Sequence, residues 1–158
     1  IKIGIELGYT PDTIAEGRKY VTELGLDKPV QDVEAAIEEL KRRGVRKVGV
    51  TGFCWGGTIT WLSATRLKPD AAVAYYGGGI YGTKSETPKV PTMMHFGDKD
   101  MHIPMAHVNE LRQLHPGVEI FDYPADHGFH CDERGSYDKA ASVKAMERTL
   151  AHFKKHVG

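Results

Sequence analysis

The sequence predicts an α/β fold with a mostly parallel sheet flanked by helices. Four short apolar runs, at 47–52, 71–77, 90–97 and 118–124, have the length of buried strands. Segments with apolar residues at helical spacing lie between and around them. Strands that alternate with helices over this length imply parallel βαβ units. At 158 residues the chain suits one domain, taken as 1–158, with enough bulk for a real core.

The elements follow in order. "IKIGIEL" (1–7) alternates Ile1, Ile3, Ile5 and Leu7 with Lys2, Gly4 and Glu6, the pattern of a strand with one wet face. Thr10-Pro11 opens a helix with Ile14, Val21 and Leu24 on one side and Gly25 as its stop. Lys28-Pro29 opens a second, carrying Val30, Val33, Ile37 and Leu40 and ending at Gly44. "KVGVTG" (47–52) is a short buried strand, and "TITWLSATRL" (58–67) the helix leaving it. "AAVAYYG" (71–77) is a strand before the glycine-rich loop Gly78 to Thr87. "VPTMMHFG" (90–97) is the next, followed behind Pro104 by a helix from Met105 to His115. "VEIFDYP" (118–124) is the last strand. Ser136 is the expected cap of a final helix bearing Val143, Met146, Leu150, Phe153 and Val157.

Composition narrows the function classes. Acidic and basic residues balance at 21 each, so no charge excess points to nucleic acid or an anionic membrane. No apolar run approaches the ~20 residues of a membrane span, and no secretory signal is read; opening on Ile1 leaves a processed or truncated start open. Cys54 and Cys131 are too few for a disulfide framework and lack metal-site spacing, which favours a reduced, cytoplasmic protein.

The chemistry centres on Gly52-Phe53-Cys54-Trp55-Gly56, a G-x-nucleophile-x-G elbow with cysteine as nucleophile. Such a turn is tight and strained, and side chains at the flanking glycines would crowd it. It sets the sulfur at a helix N-terminus, which favours thiolate, and lets the Trp55 backbone N–H face a developing oxyanion. A thiol nucleophile needs a base and an orienting acid, which elbow folds supply in the order nucleophile, acid, His. "GDKDMHIP" offers Asp98 or Asp100, and "ADHGFH" offers His127 or His130, with His102 an outsider. Residue chemistry alone leaves both pairs open. His127, His130 and Cys131 lack the partners of a metal site, and Gly77–Gly79 lacks a phosphate-loop frame. Trp55 and Trp61 are read as packing, and Cys131 as a bystander thiol. Tyr75-Tyr76 either wall a substrate site or turn the chain.

"GFCWGG", "FGDKDMHIP" and "YPADHGFHCDERGSYDKAASVKAMERTL" together resemble the dienelactone hydrolase family, the cysteine branch of the α/β-hydrolases. "DVEAAIEEL" resembles that family's helix ahead of the nucleophile strand, so the likeness runs from about residue 18 to the end. The family's acid lies three residues before a V/I-P step, which selects Asp100, and its base is the first His of an H-G/S-F turn, which selects His127. The resemblance implies an α/β-hydrolase-like sheet and hydrolysis of small esters or lactones without a cofactor. Two departures stand out. Members that bind a carboxylate-bearing lactone have an Arg where this chain has Cys131. The family also has several strands ahead of the helix at 29–43, where this sequence has one at most. A strand "KVGVTG" left at a sheet edge invites pairing with a second copy, hence an expected homodimer. The alternative from another class is a non-catalytic binding or structural subunit that retains the elbow.

Overall fold

The computed structural model describes residues 4–158. Its helices are α1 (Pro11–Leu24), α2 (Asp27–Arg42), α3 (Trp55–Arg66), α4 (Met105–Leu114) and α5 (Lys139–His156). Its strands are β1 (Gly49–Phe53), β2 (Ala71–Tyr75), β3 (Thr92–Gly97) and β4 (Glu119–Tyr123). They form one sheet in the order β1-β2-β3-β4, every pairing parallel. Sequential parallel neighbours need a crossover each, and α3 and α4 supply two of them. No helix among the described residues is long and apolar enough to cross a membrane.

Burial follows strand position. Every residue of β2 and β3 is buried, as expected for inner strands covered on both faces. β1 lies at one end of the sheet, the edge position expected for "KVGVTG", but it alternates exposed and half-buried residues and is not the fully buried strand expected. Of the strand expected at 1–7, residues 1–3 lie outside the described residues, and 4–7 form no strand. Gly49 faces α5, where Phe153 and Val157 leave no room for a Cβ, and Gly52 faces α3. Their odd separation puts the two helices on opposite faces of the sheet.

Helix ends differ from expectation in instructive ways. Thr10 does cap α1, its side chain accepting from Thr13 N–H. α5 is capped by Asp138 and not by Ser136: Asp138 Oδ1 accepts from Ala141 N–H at 2.9 Å. Ser136 Oγ instead donates to the His127 carbonyl at 2.7 Å. α5 also turns a different side inward. Ala141, Ser142, Ala145, Thr149 and His152 are buried, whereas Val143, Met146 and Leu150 are exposed. Small and polar residues face the sheet because the sheet presents polar partners. Arg148 Nη1 donates to Tyr123 Oη (3.0 Å), which bonds His95 Nδ1 (2.8 Å). His95 Nε2 bonds Thr149 Oγ1 (3.1 Å), which meets Tyr75 Oη (2.6 Å). With Arg148 fixing the direction, Tyr123 donates to Nδ1 and the neutral imidazole donates from Nε2. Burial, reinforced by the Arg148 charge, holds His95 down to about 3.

Candidate active site

The site forms where the carboxyl ends of β1, β3 and β4 open into loops, the usual position for function in parallel sheets. Cys54 follows β1 at φ 53° and ψ −118°, and α3 starts at the next residue. Its carbonyl accepts from Gly57 N–H (3.0 Å) and Thr58 N–H (3.3 Å), while its own N–H donates to Tyr75 O (3.0 Å). The turn is pressed closely between helix and sheet. A Cβ at Gly52 would strike the Gly56 carbonyl, and one at Gly57 the Tyr75 carbonyl. Gly56 itself has open space, so Gly57, not Gly56, is the second glycine that the packing demands.

The acid loop follows β3. Asp100 is buried at 4% exposure, and its Oδ1 accepts from His102 N–H at 2.8 Å. Asp98 is exposed at the turn, so of the two candidates only Asp100 points inward. The base loop follows β4, with Lys99 N–H donating to Ala125 O at 3.1 Å to hold the two loops together. His127 Nδ1 lies 2.6 Å from Asp100 Oδ2, and His127 Nε2 lies 3.1 Å from Cys54 Sγ. Cys54, His127 and Asp100 are thereby brought into one hydrogen-bonded line. His130 is elsewhere, stacked on Phe53 with ring centroids 5.4 Å apart and bonded through Nδ1 to Ser142 Oγ at 2.6 Å. His102 meets His127 edge-on at 5.6 Å between centroids.

Charge distribution follows from these contacts. Burial works to raise the Cys54 thiol, but the hydrogen bond and charge of His127, the Trp55 N–H and the Arg134 guanidinium outweigh it, leaving it below the ordinary thiol range. Burial works to lower His127, but its bonds to Asp100 and Cys54 raise it to about 9. Burial pushes Asp100 up, and His127 with the His102 N–H more than reverses this. The arrangement favours thiolate, imidazolium and carboxylate together. The Trp55 N–H also reaches the Cys54 sulfur.

Other expectations fare as follows. Trp61 is fully buried and donates Nε1–H to Thr83 Oγ1 (3.2 Å), and Trp55 packs half-buried against the core. Cys131 Sγ donates to Tyr9 Oη at 3.4 Å, outside the Cys54–His127–Asp100 line. Among the described residues no His, Cys, Asp and Glu cluster has the arrangement to hold a metal ion. Arg134 was not singled out in the sequence, because its effect on Cys54 arises only when the loop folds back so that the guanidinium lies against Gly128.

Comparison with known proteins gives a consistent picture. Residues 5–157 match the dienelactone hydrolase family. A protein of Synechocystis sp., provisionally named a carboxymethylenebutenolidase, is 35% identical over 168 residues, covering 95% of this chain and 68% of its own length. A protein of Escherichia coli K12 with the same provisional name is 38% identical over 146 residues, covering 80% of this chain. The chain spans only 54% of that relative's length. A crystal structure from Klebsiella pneumoniae, provisionally titled a dienelactone hydrolase, superposes with a TM-score of 0.68 at 33% identity, covering 80% of this chain and 60% of that one. The four-stranded parallel sheet with its flanking helices is thus an α/β-hydrolase fold. The chain belongs to the dienelactone hydrolase family.

Proposed function

We propose that this protein is a thiol hydrolase that cleaves small carboxylic esters or lactones, working as one domain with Cys54, His127 and Asp100 as its triad. The observation that supports it is the unbroken line from Asp100 Oδ2 to His127 Nδ1 (2.6 Å) and from His127 Nε2 to Cys54 Sγ (3.1 Å). The Cys54 thiolate attacks the carbonyl carbon, and the carbonyl electron pair moves onto oxygen beside the Trp55 N–H. Collapse of that intermediate breaks the ester C–O bond, and the leaving oxygen takes the proton from His127 Nε2. Water attacks the resulting thioester and gives its proton to His127; the C–S bond then breaks, releasing the acid and returning the electron pair to the Cys54 thiolate. Asp100 holds the imidazole in the orientation both steps need. No cofactor enters this cycle.

A p-nitrophenyl ester assay, with and without iodoacetamide, tests the reading. Limiting reagent should label Cys54 ahead of Cys131, with activity lost in proportion. Labelling of Cys131 with activity retained overturns Cys54 as nucleophile. Esterase activity absent from protein whose Cys54 is labelled readily favours a non-catalytic subunit.

We further propose a homodimer joined across the edge of β1, which no strand among the described residues covers, where a second chain would meet the outward N–H and C=O groups. The two unpaired thiols suit a reducing cytoplasm. Light scattering on a dilution series, read alongside activity, tests the dimer. Full activity per chain in a nanomolar monomer would rule it out.

A further inference from the structure

Among the described residues, only two that are not glycine have a positive φ: Cys54 at 53° and Tyr76 at 34°. The elbow accounts for the first. The second is a bulky residue in a region such residues avoid, and strain of that kind persists only where the surroundings over-determine it. Here they do. Tyr76 N–H donates to His95 O at 2.7 Å, and the carbonyl just before it accepts from Cys54 N–H at 3.0 Å. β1 and β2 stay in register through Phe53 and Tyr75, so Cys54 and Tyr76 stand side by side one step past the ladder. The strained backbone turns the Tyr76 ring edge-on to His127, with centroids 5.2 Å apart, and against Phe129 at 5.3 Å. The residue is 2% exposed.

We infer that Tyr76 is a further catalytic residue, whose phenolic O–H donates a hydrogen bond to the leaving-group oxygen while His127 protonates that oxygen. This rests on the hydrolase reading above. The oxyanion develops toward the Trp55 N–H at the start of α3, so the leaving group departs on the other side, toward His127 Nε2. Tyr76 follows β2, which lies between β1 and the strands leading to Asp100 and His127, and its ring meets His127 there. The ester C–O bond breaks, its electron pair stays on oxygen, and the proton comes from His127. Tyr76 keeps its own proton throughout. Burial, then the Cys131 and Cys54 thiols, hold its phenol above the ordinary tyrosine range despite the opposing Arg134 charge, so it remains a donor at working pH.

Tyr76→Phe removes the hydroxyl and keeps the ring. With p-nitrophenyl acetate, whose leaving oxygen is stable as an anion, kcat/KM should stay within about threefold of wild type, whereas with ethyl acetate it should fall ~10²-fold. The rate at which iodoacetamide labels Cys54 should be unchanged. Equal losses on the two esters, or no loss on either, overturn the inference. Slower labelling of Cys54 also overturns it, because Tyr76 would then act through the thiol's surroundings. Wild-type protein that cleaves neither ester overturns the hydrolase reading and this inference with it. Active wild type with an unaltered Tyr76→Phe variant overturns this inference alone.

Discussion

The two sides of the site are built to different standards. Asp100 extends from β3, an inner strand buried throughout, and His127 from β4, the partly exposed strand at the far end of the sheet, with the Tyr75–Thr149–His95–Tyr123 network behind them. Cys54 extends from β1, an edge strand with alternating exposure. The packed side fixes a buried carboxylate and an imidazole by many weak contacts acting together. The β1 side fixes the sulfur by one strained turn clamped between α3 and β2. Precision at Cys54 therefore depends on two glycines and their neighbours, whereas precision at Asp100 and His127 is spread over the core.

The largest expected effect removes the link between the two sides. His127→Ala should lower kcat for ester hydrolysis by ~10³-fold or more, as loss of a triad base does elsewhere. His130→Ala should change it only a few-fold, since His130 bonds Ser142 and stacks on Phe53. The reverse ranking would misassign the base.

Next come the opposite pH responses of two histidines, His95 in the core network and His127 in the site. His95 is held at about 3 when folded, below its unfolded value near 6.5, so the unfolded chain binds the extra proton. Its contribution is full above ~6.5 and falls as pH drops toward 3, by up to about 1.4 kcal/mol per pH unit. His127 is raised to about 9, so its contribution is full below ~6.5 and is lost as pH rises through 9. Urea midpoints measured from pH 4 to 10 should show both slopes. The alkaline slope should vanish in His127→Ala while the acid slope remains.

Smaller effects probe the clamp and the loop. Gly57→Ala forces a Cβ into the Tyr75 carbonyl and should cost roughly 1–3 kcal/mol, read by urea denaturation. Gly56→Ala, with open space around it, should be neutral or slightly stabilising, by up to about 1 kcal/mol. Asp138→Ala removes the α5 cap and should cost about 1 kcal/mol. Equal effects from the two glycine variants would mean that the turn is not clamped as described.

The sequence made the alternation of strands and helices legible, because inner strands such as "AAVAYYG" and "VPTMMHFG" are apolar throughout. The edge position of "KVGVTG" was legible only from the family strands missing ahead of it, and its exposure was not. With only Val48 and Val50 apolar, "KVGVTG" reads as buried from its neighbours rather than its own residues, and its exposure follows from what packs beside it. The cap of α5 was misread because Ser136 and Asp138 are both good caps, and only the base loop's need for the Ser136 hydroxyl separates them. The stripe Val143, Met146 and Leu150 suggested an inward face, but buried polar partners on the sheet turn Thr149 and Ala145 inward instead. For the acid and base, residue chemistry narrowed each loop to a pair, and family spacing picked Asp100 and His127. Tyr76 stayed undecided because φ is invisible in a sequence.

The final helix gives the molecule a common frame of reference. At its N-terminus, Asp138 N–H is tied to Phe129 O and Ser136 to His127 O, in the base loop. At its C-terminus, Phe153 and Val157 seat on Gly49, and Lys47 Nζ donates to His156 O, at the root of the nucleophile strand. One rod of 18 residues, about 27 Å long at 1.5 Å per residue, thus carries both the His127 loop and the strand that leads to Cys54. When the sheet breathes, imidazole and sulfur shift with the same rod, and their separation is buffered against motions that displace either one. A break in the middle of that rod would detune the pair without touching either residue.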